Sequence, residues 1–312
     1  MNYINEIREG ENVDEIYFVK QYQQLKTKQG KTYGSLTLQD RTGVLDAKIW
    51  DFGPAIENFE SFDYVHVRGS VTSFQGSLQL SVSKLRRCHE GEYDISEYMP
   101  TSSRNIEEMY SSLMKIGASV KEEHLKALID SFFVSDKDFI KVFKSRSAAK
   151  TVHHGFIGGL LEHTLSVTEL CEFYSLHYPV LNHDLVVCAA MLHDIGKTRE
   201  LSDFPLNDYT DEGNLLGHIY IGASMIEERI SHIDGFPKAL KGEIIHCILA
   251  HHGEPEYGSV KKPAIAEAEV LFMADNLDAK METLKEIFAN SDPKAEWLGF
   301  SKWLDTNIRR TT

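Results

Sequence analysis

Cysteine is scarce and scattered: Cys88, Cys171, Cys188 and Cys247 are the only four in 312 residues, and no two form a C-x-x-C pair. Neither a disulfide framework nor a thiolate zinc site is therefore indicated, and four reduced, buried thiols are expected. Long apolar runs are missing as well. No stretch reaches about 18 uninterrupted apolar residues, and the charged opening MNYINEIREGENVDE has no apolar segment of the secretory kind. A cytoplasmic protein without a membrane partner is the expectation. Basic charge is also in short supply, with 33 Lys and Arg against 47 Asp and Glu and a net charge of −14. Taken whole, that balance argues against a polyanionic partner, but the charge is unevenly placed. Between Ile16 and His89 ten basic residues face six acidic ones, a net of +4 that leaves −18 for the remainder. The first segment can therefore hold a polyanion while the rest holds cations.

The hydrophobic share of 42% and charged share of 26% describe a globular chain with a sizeable core, and the length suits two domains. From Ile16 to Arg87 the runs EIYFVKQYQQL, KTYGSLTLQD, GVLDAKIW, YVHVRGSVTS and SLQLSVSKLR read as five strands punctuated by glycine, with a brief helix near Ala55 to Phe59. Alternation assigns their faces. Leu36 and Leu38 share one side while Tyr33, Ser35 and Thr37 share the other; Leu45, Ala47 and Ile49 oppose Asp46, Lys48 and Trp50. Tyr33 and Trp50 beside Lys48 form a base-stacking platform or else pack against the rest of the protein. With Lys28 and Lys31 in the first hairpin and Phe74 before Gly76, the segment resembles the OB-fold, whose middle strands and hairpin loops bind single-stranded nucleic acid. Residues 1–90 are read as this domain, and 91–149 as a linker followed by a helical connector.

Beyond Ser103 the period turns helical: Ile106, Met109, Leu113 and Ile116, then Leu125, Leu128, Ile129 and Phe132, the second helix opening on a capping box of Ser119 and Glu122. Everything after that reads as helix, with residues 291–312 as a tail. Across this part run His163, the pair His193-Asp194, His218, the pair His251-His252, and Asp275. Imidazole and carboxylate are ligands of divalent transition metals, and seven exceed the needs of one ion, so a two-metal hydrolytic centre is suggested. His163 lies in the helix LLEHTLSVTEL, and His193-Asp194 ends NHDLVVCAAMLHDIGK, capped by Asn182 and closed at Gly196.

The ordered set of H, HDIGK, H, HH and the D of AEVLFMADNLDAKM, at intervals of about thirty and about twenty-five residues, resembles the HD superfamily of metal-dependent phosphohydrolases over residues 150–290. The resemblance implies that His163, His193, Asp194 and Asp275 hold a first ion, and that Asp194 is shared with a second ion taking His218, His251 and His252, of which the last two need not both be ligands. Asp194 and Lys197 are implied as catalytic, the lysine neutralising a phosphoryl oxygen. Asp278, one turn after Asp275, either orients a ligand or leaving group or lies on a solvated face. His153-His154 either face substrate or cap a helix.

An amino-terminal OB-fold barrel joined to an all-α HD bundle, with DRTGVLDAKIWD, GGLLEHTLSV, HDIGKTREL, GHIYIGASMI and ILAHHGEPEYGS, resembles the YhaM-type 3′-to-5′ exoribonucleases over essentially the whole chain. That resemblance implies stepwise release of nucleoside 5′-monophosphates from single-stranded RNA, with single-stranded DNA as a second substrate. Manganese is the implied ion, with cobalt, iron and magnesium as alternatives, and a homo-oligomer is compatible. Two other classes stay open. A cyclic-nucleotide or dinucleotide phosphodiesterase would use the same ligands but leave the barrel unexplained, and HHGEPEYG lacks the GYP end of the cyclic-di-GMP enzymes. A single-stranded DNA-binding replication or repair factor would use the barrel and leave the ligands unexplained.

Overall fold

The computed structural model describes residues 2–74, 76–150, 154–289 and 291–311. The chain divides into two compact units, one running to Thr101 and including Phe204–Leu206, the other Ser102–Asp203 with the residues from Asn207 on. In the first, β1 (Asn12–Lys26), β2 (Thr32–Asp40), β3 (Gly43–Ile49), β4 (Tyr64–Phe74) and β5 (Ser77–Arg87) close into a barrel of order β1-β2-β3-β5-β4. Only β3 and β5 run parallel among these pairs. β1 closes the barrel because its 15 residues serve two partners, the amino-terminal half pairing β4 and the carboxy-terminal half β2. A register shift between Val19 and Gln21 lets that strand bend between them. Leu36, Leu38, Leu45, Ala47 and Ile49 all point inward and are buried with Val65, Val67, Leu80 and Leu85, as the alternation requires.

The helix expected near Ala55 to Phe59 is corrected by the structure. This stretch is irregular, and its backbone is spent on the edge of β5: Leu85 N–H donates to Ala55 O and Glu57 N–H to Leu85 O. Those peptide groups are committed across the barrel and cannot close helical turns.

The second unit holds α1 (Ile106–Gly117), α2 (Glu123–Phe133), α3 (Lys137–Ser145), α4 (Gly159–His177), α5 (His183–Leu192), α6 (Lys197–Glu200), α7 (Asp211–Ile230), α8 (Lys238–Ala250) and α9 (Ala266–Ala289). α5 is buried on every side from Leu185 to Leu192, and α4, α8 and α9 pack around it. That burial is why its sequence is apolar with almost no amphipathic period. Cys171, Cys188 and Cys247 sit in this core, and burial pushes the Cys247 thiol up to about 12, so all are inert packing groups.

Three local expectations change. α2 is capped by Glu122, whose carboxylate accepts from Leu125 N–H, whereas Ser119 donates to Ile116 O at the end of α1, so the capping box is not formed. α5 does end after Asn182 caps it, but at His193 rather than Gly196. The helical reading of everything after Ser103 fails at the end of the chain, where β6 (Trp297–Ser301) and β7 (Thr306–Arg309) form an antiparallel hairpin. Its strands are only five and four residues long and interrupted by Gly299, too short for a period of two to declare itself.

Candidate metal centre and nucleic-acid-binding face

Five helices supply the centre. His163 projects from α4, His193 and Asp194 from the turn that closes α5, His218 from α7, His251 and His252 from the end of α8, and Asp275 from α9. His193, Asp194 and His251 are essentially inaccessible to solvent. Asp194 is central. Its Oδ2 lies 3.4 Å from both His163 Nε2 and His193 Nε2, while its Oδ1 lies 3.5 Å from His218 Nε2 and 3.8 Å from His251 Nε2. His163 Nε2 is also 3.1 Å from Asp275 Oδ1. Ligand atoms of His163, His193 and Asp275 lie within 4.8 Å of one another, as do those of His218, His251 and His252. Two histidines of one trio thus flank one oxygen of a buried carboxylate, and two of the other trio flank its second oxygen.

Every imidazole is aimed by its other nitrogen. His193 Nδ1 faces Ala190 O at 2.8 Å, His251 Nδ1 faces Ile248 O at 2.6 Å, and His252 Nδ1 faces Tyr257 O at 2.9 Å. Carboxylates hold the remaining two. Asp278 Oδ2 lies 2.7 Å from His163 Nδ1 and 3.1 Å from His154 Nε2, and its Oδ1 accepts from Ser166 Oγ. Glu200 Oε1 lies 3.0 Å from His218 Nδ1 and accepts from the His218 backbone N–H. With Nδ1 held from outside, each Nε2 faces the centre, the orientation metal-ligating histidines require.

Two glycines make this packing possible. Gly217 breaks α7 with a φ of 72°, turning His218 onto Glu200. Gly196 lies where a Cβ would come within 2.0 Å of His218 O, so α6 and α7 can cross at that point only without a side chain.

Electrostatics favour cation binding. Burial opposes charge on Asp194, yet Lys197 and His193 outweigh it and hold the carboxyl well below the usual range. Asp275 and Asp278 are likewise lowered against burial, chiefly by His163 and by His154 with His163. Burial, reinforced by the neighbouring imidazoles, lowers His251 and His252 and keeps them neutral. His163 is the exception: burial is outweighed by Asp194, Asp275 and Asp278, which raise it. Asp194 Oδ1, His218 Nε2 and His251 Nε2 are buried without a hydrogen-bond partner in the protein. Buried imidazole nitrogens and a carboxylate oxygen that converge without a partner fit divalent metal.

Lys197 Nζ lies 2.6 Å from Asp194 Oδ2 and lines a cavity of about 350 Å³ that also exposes His163, His252 and Asp275. His154 is buried on the same cavity; His153 lies outside the described residues. Sequence reasoning left Asp278 between two roles and missed Glu200 altogether. A signal existed only for Asp278, one helical turn past Asp275 on the same helix face. Glu200 finds His218 through the fold, from the far side of the α6–α7 turn.

On the barrel, Tyr33 and Trp50 stack at 5.2 Å between ring centroids, in line with the β2–β3 register that sets Gly34 opposite Ile49. Lys48 Nζ donates to Ser35 Oγ and sits 5.9 Å from the Tyr33 ring centre. Trp50 is 45% exposed. Lys28 and Lys31 occupy the β1–β2 turn at the same end. Phe74 is 60% exposed but does not join them. The parallel β3–β5 register puts its hairpin beside the start of β3, six residues from Trp50, or about 20 Å along the strand.

Comparison with known proteins agrees with both halves. Residues 160–280 match the HD domain family, and residues 18–87 match the OB-fold nucleic acid binding domain family. Among solved structures, the second OB-fold domain of replication protein A from Methanococcus maripaludis is 22% identical, covering 30% of this chain and all of that one with a TM-score of 0.24. The HD domain of the L. monocytogenes phosphodiesterase PgpH is 21% identical, covering 42% of this chain and 68% of that one with a TM-score of 0.27. Likeness at that level carries no functional argument. The decisive relative is the 3′-5′ exoribonuclease YhaM of Geobacillus sp. (strain WCH70), 34% identical over 290 residues, which are 91% of this chain and 87% of the relative. Matched across both domains and nearly end to end, the chain belongs to the YhaM exoribonuclease family.

Proposed function

We propose that this chain is a metal-dependent 3′-to-5′ exoribonuclease of the cytoplasm that shortens single-stranded RNA, and single-stranded DNA as a second substrate, one nucleotide at a time. The observation that carries the reading is the pair of ligand trios, each with two histidines beside one oxygen of Asp194, in a chain whose family relative is named for this activity. Two divalent ions held there, with manganese expected, would activate a water and clamp the attacking and leaving oxygens of an in-line displacement.

The chain's own groups do the rest. His163, His193 and Asp275 hold one side of Asp194, and His218, His251 and His252 the other. Lys197, exposed to the cavity, sets a fixed cation against the phosphoryl oxygens where negative charge grows. A water oxygen bonds to phosphorus, the bond from phosphorus to the preceding 3′-oxygen breaks, and that oxygen takes a proton. The products are a nucleoside 5′-monophosphate and a strand shorter by one. On the barrel, Tyr33, Trp50 and Lys48 hold a flexible strand by stacking and charge, aided by Lys28 and Lys31.

The test is a time course on 3′- and 5′-labelled single strands, run alongside metal analysis of the wild type and Asp194→Ala. The wild type should show two ions per chain and release labelled monophosphate first from the 3′ label. Asp194→Ala removes the carboxylate both trios share, so it should lose metal and all measurable turnover. Near-normal turnover in this variant, or first release from the 5′ label, would refute the reading.

A further inference from the structure

The cavity beside the metal ligands has a second wall that the proposed chemistry does not use. Tyr257, Phe272 and Trp303 line it together with His252 and Asp275, so aromatic surface adjoins the ligand face. Trp303 and Tyr257 are 68% and 66% exposed. Neither position is accidental. Tyr257 is tied to the centre through its carbonyl oxygen, which lies 2.9 Å from Nδ1 of His252. Trp303 lies in the turn between β6 and β7, so the terminal hairpin delivers it. That hairpin borders the later turns of α9, the helix whose Asp275 and Asp278 belong to the centre: Thr283, Glu286 and Ile287 line a second cavity with residues of the hairpin, Trp303 among them.

Large exposed aromatic rings beside a phosphoryl-transfer site are what a nucleobase needs, because every base has a flat π face and stacking tolerates any sequence. The cavity volume, about 350 Å³, lies at the low end for ligand sites, roughly 300–1,000 Å³, and suits one nucleotide better than a length of strand. In an exonuclease that releases monophosphates, the single nucleotide beyond the scissile phosphate is the 3′-terminal one.

Resting on the exoribonuclease reading above, we propose that Trp303, with Tyr257, forms the subsite that stacks on the base of the 3′-terminal nucleotide and so positions its phosphate against the metal ligands.

The experiment compares the full-length wild type, Trp303→Ala and Trp303→Phe on two single-stranded RNA oligonucleotides that differ only in whether the 3′-terminal residue carries a base or is abasic. KM and kcat are measured separately for removal of that residue. The wild type should prefer the base-bearing substrate about tenfold, mainly in KM, in keeping with the loss of one stacked base. In Trp303→Ala the ratio between the two substrates should fall close to one. Trp303→Phe, which keeps a ring, should restore most of it. Loss that is equal on both substrates would mark Trp303 as a structural residue of the hairpin, and an unchanged ratio in Trp303→Ala would likewise overturn the subsite. A wild type that degrades neither oligonucleotide would instead bring down the exoribonuclease reading and this subsite with it.

Discussion

At the scale of single residues, the centre depends as much on what aims the ligands as on the ligands. A free imidazole offers either nitrogen and rotates about two bonds, so His163 can serve as a ligand only when Asp278 fixes which nitrogen donates and where the ring points. Asp278 is nearly buried, accepts from three side chains and is held ionised by them, so it serves one purpose and has little solvent to fall back on. Asp278→Ala should therefore weaken metal binding by about 10- to 100-fold, the usual cost of losing such a partner. Asp278→Asn, which keeps one acceptor oxygen, should fall between. Competition with a chelator of known affinity measures the change, and an affinity equal to that of the wild type in both variants would remove Asp278 from the centre. The same logic separates legible from illegible residues. All seven ligand candidates could be picked out because their types are rare in apolar helices, but Glu200 looks like any surface glutamate until the fold brings it to His218.

At the scale of elements, the sequence spoke clearly where burial imposed a period and poorly where it did not. The strands of the barrel and the helices around α5 follow their apolar spacing, with the inward residues Leu36, Leu45 and Ile49 all found in the core. The misreadings have separate causes. Ala55 to Glu57 bond to β5 instead of to one another, Ser119 serves the helix before it, and the last hairpin is too short to show alternation. Gly196 is a further case, since nothing nearby explains it and its backbone φ of −60° is ordinary for any residue. What it supplies is space. A methyl group there would meet His218 O at 2.0 Å and Gly222 N at 2.7 Å, both backbone atoms that no rotamer change can move. Gly196→Ala should cost about 1–3 kcal/mol, as overpacking generally does, and should displace His218 from the centre. A fall in Tm together with reduced metal content is the expected pair of results. Retention of both would show that α6 and α7 can separate without consequence.

At the scale of the whole molecule, the governing fact is the segregation of charge. Ten basic and six acidic residues between Ile16 and His89 stand against an excess of 18 negative charges elsewhere. A chain of net charge −14 repels a polyanion at long range, so association with RNA must be carried by a local face and must be sensitive to screening. Barrel binding should accordingly show two separable parts. One is charge, from Lys28, Lys31 and Lys48, and it should appear as a fall in affinity for long single strands as salt rises, with a slope of about −0.7 per phosphate contacted. The other is stacking on Trp50, partly exposed and braced by Tyr33, which is worth about 1–3 kcal/mol per base and hardly depends on salt. The two substitutions should therefore differ in kind: Lys48→Ala should make the salt slope shallower by about one phosphate contact, whereas Trp50→Ala should lower affinity by a similar factor at every salt concentration. Fluorescence titration of a labelled oligonucleotide from low to high salt measures both. If Trp50→Ala left affinity intact throughout, or Lys48→Ala left the slope unaltered, this face of the barrel would not be where the strand is held, whatever its resemblance to other OB-folds.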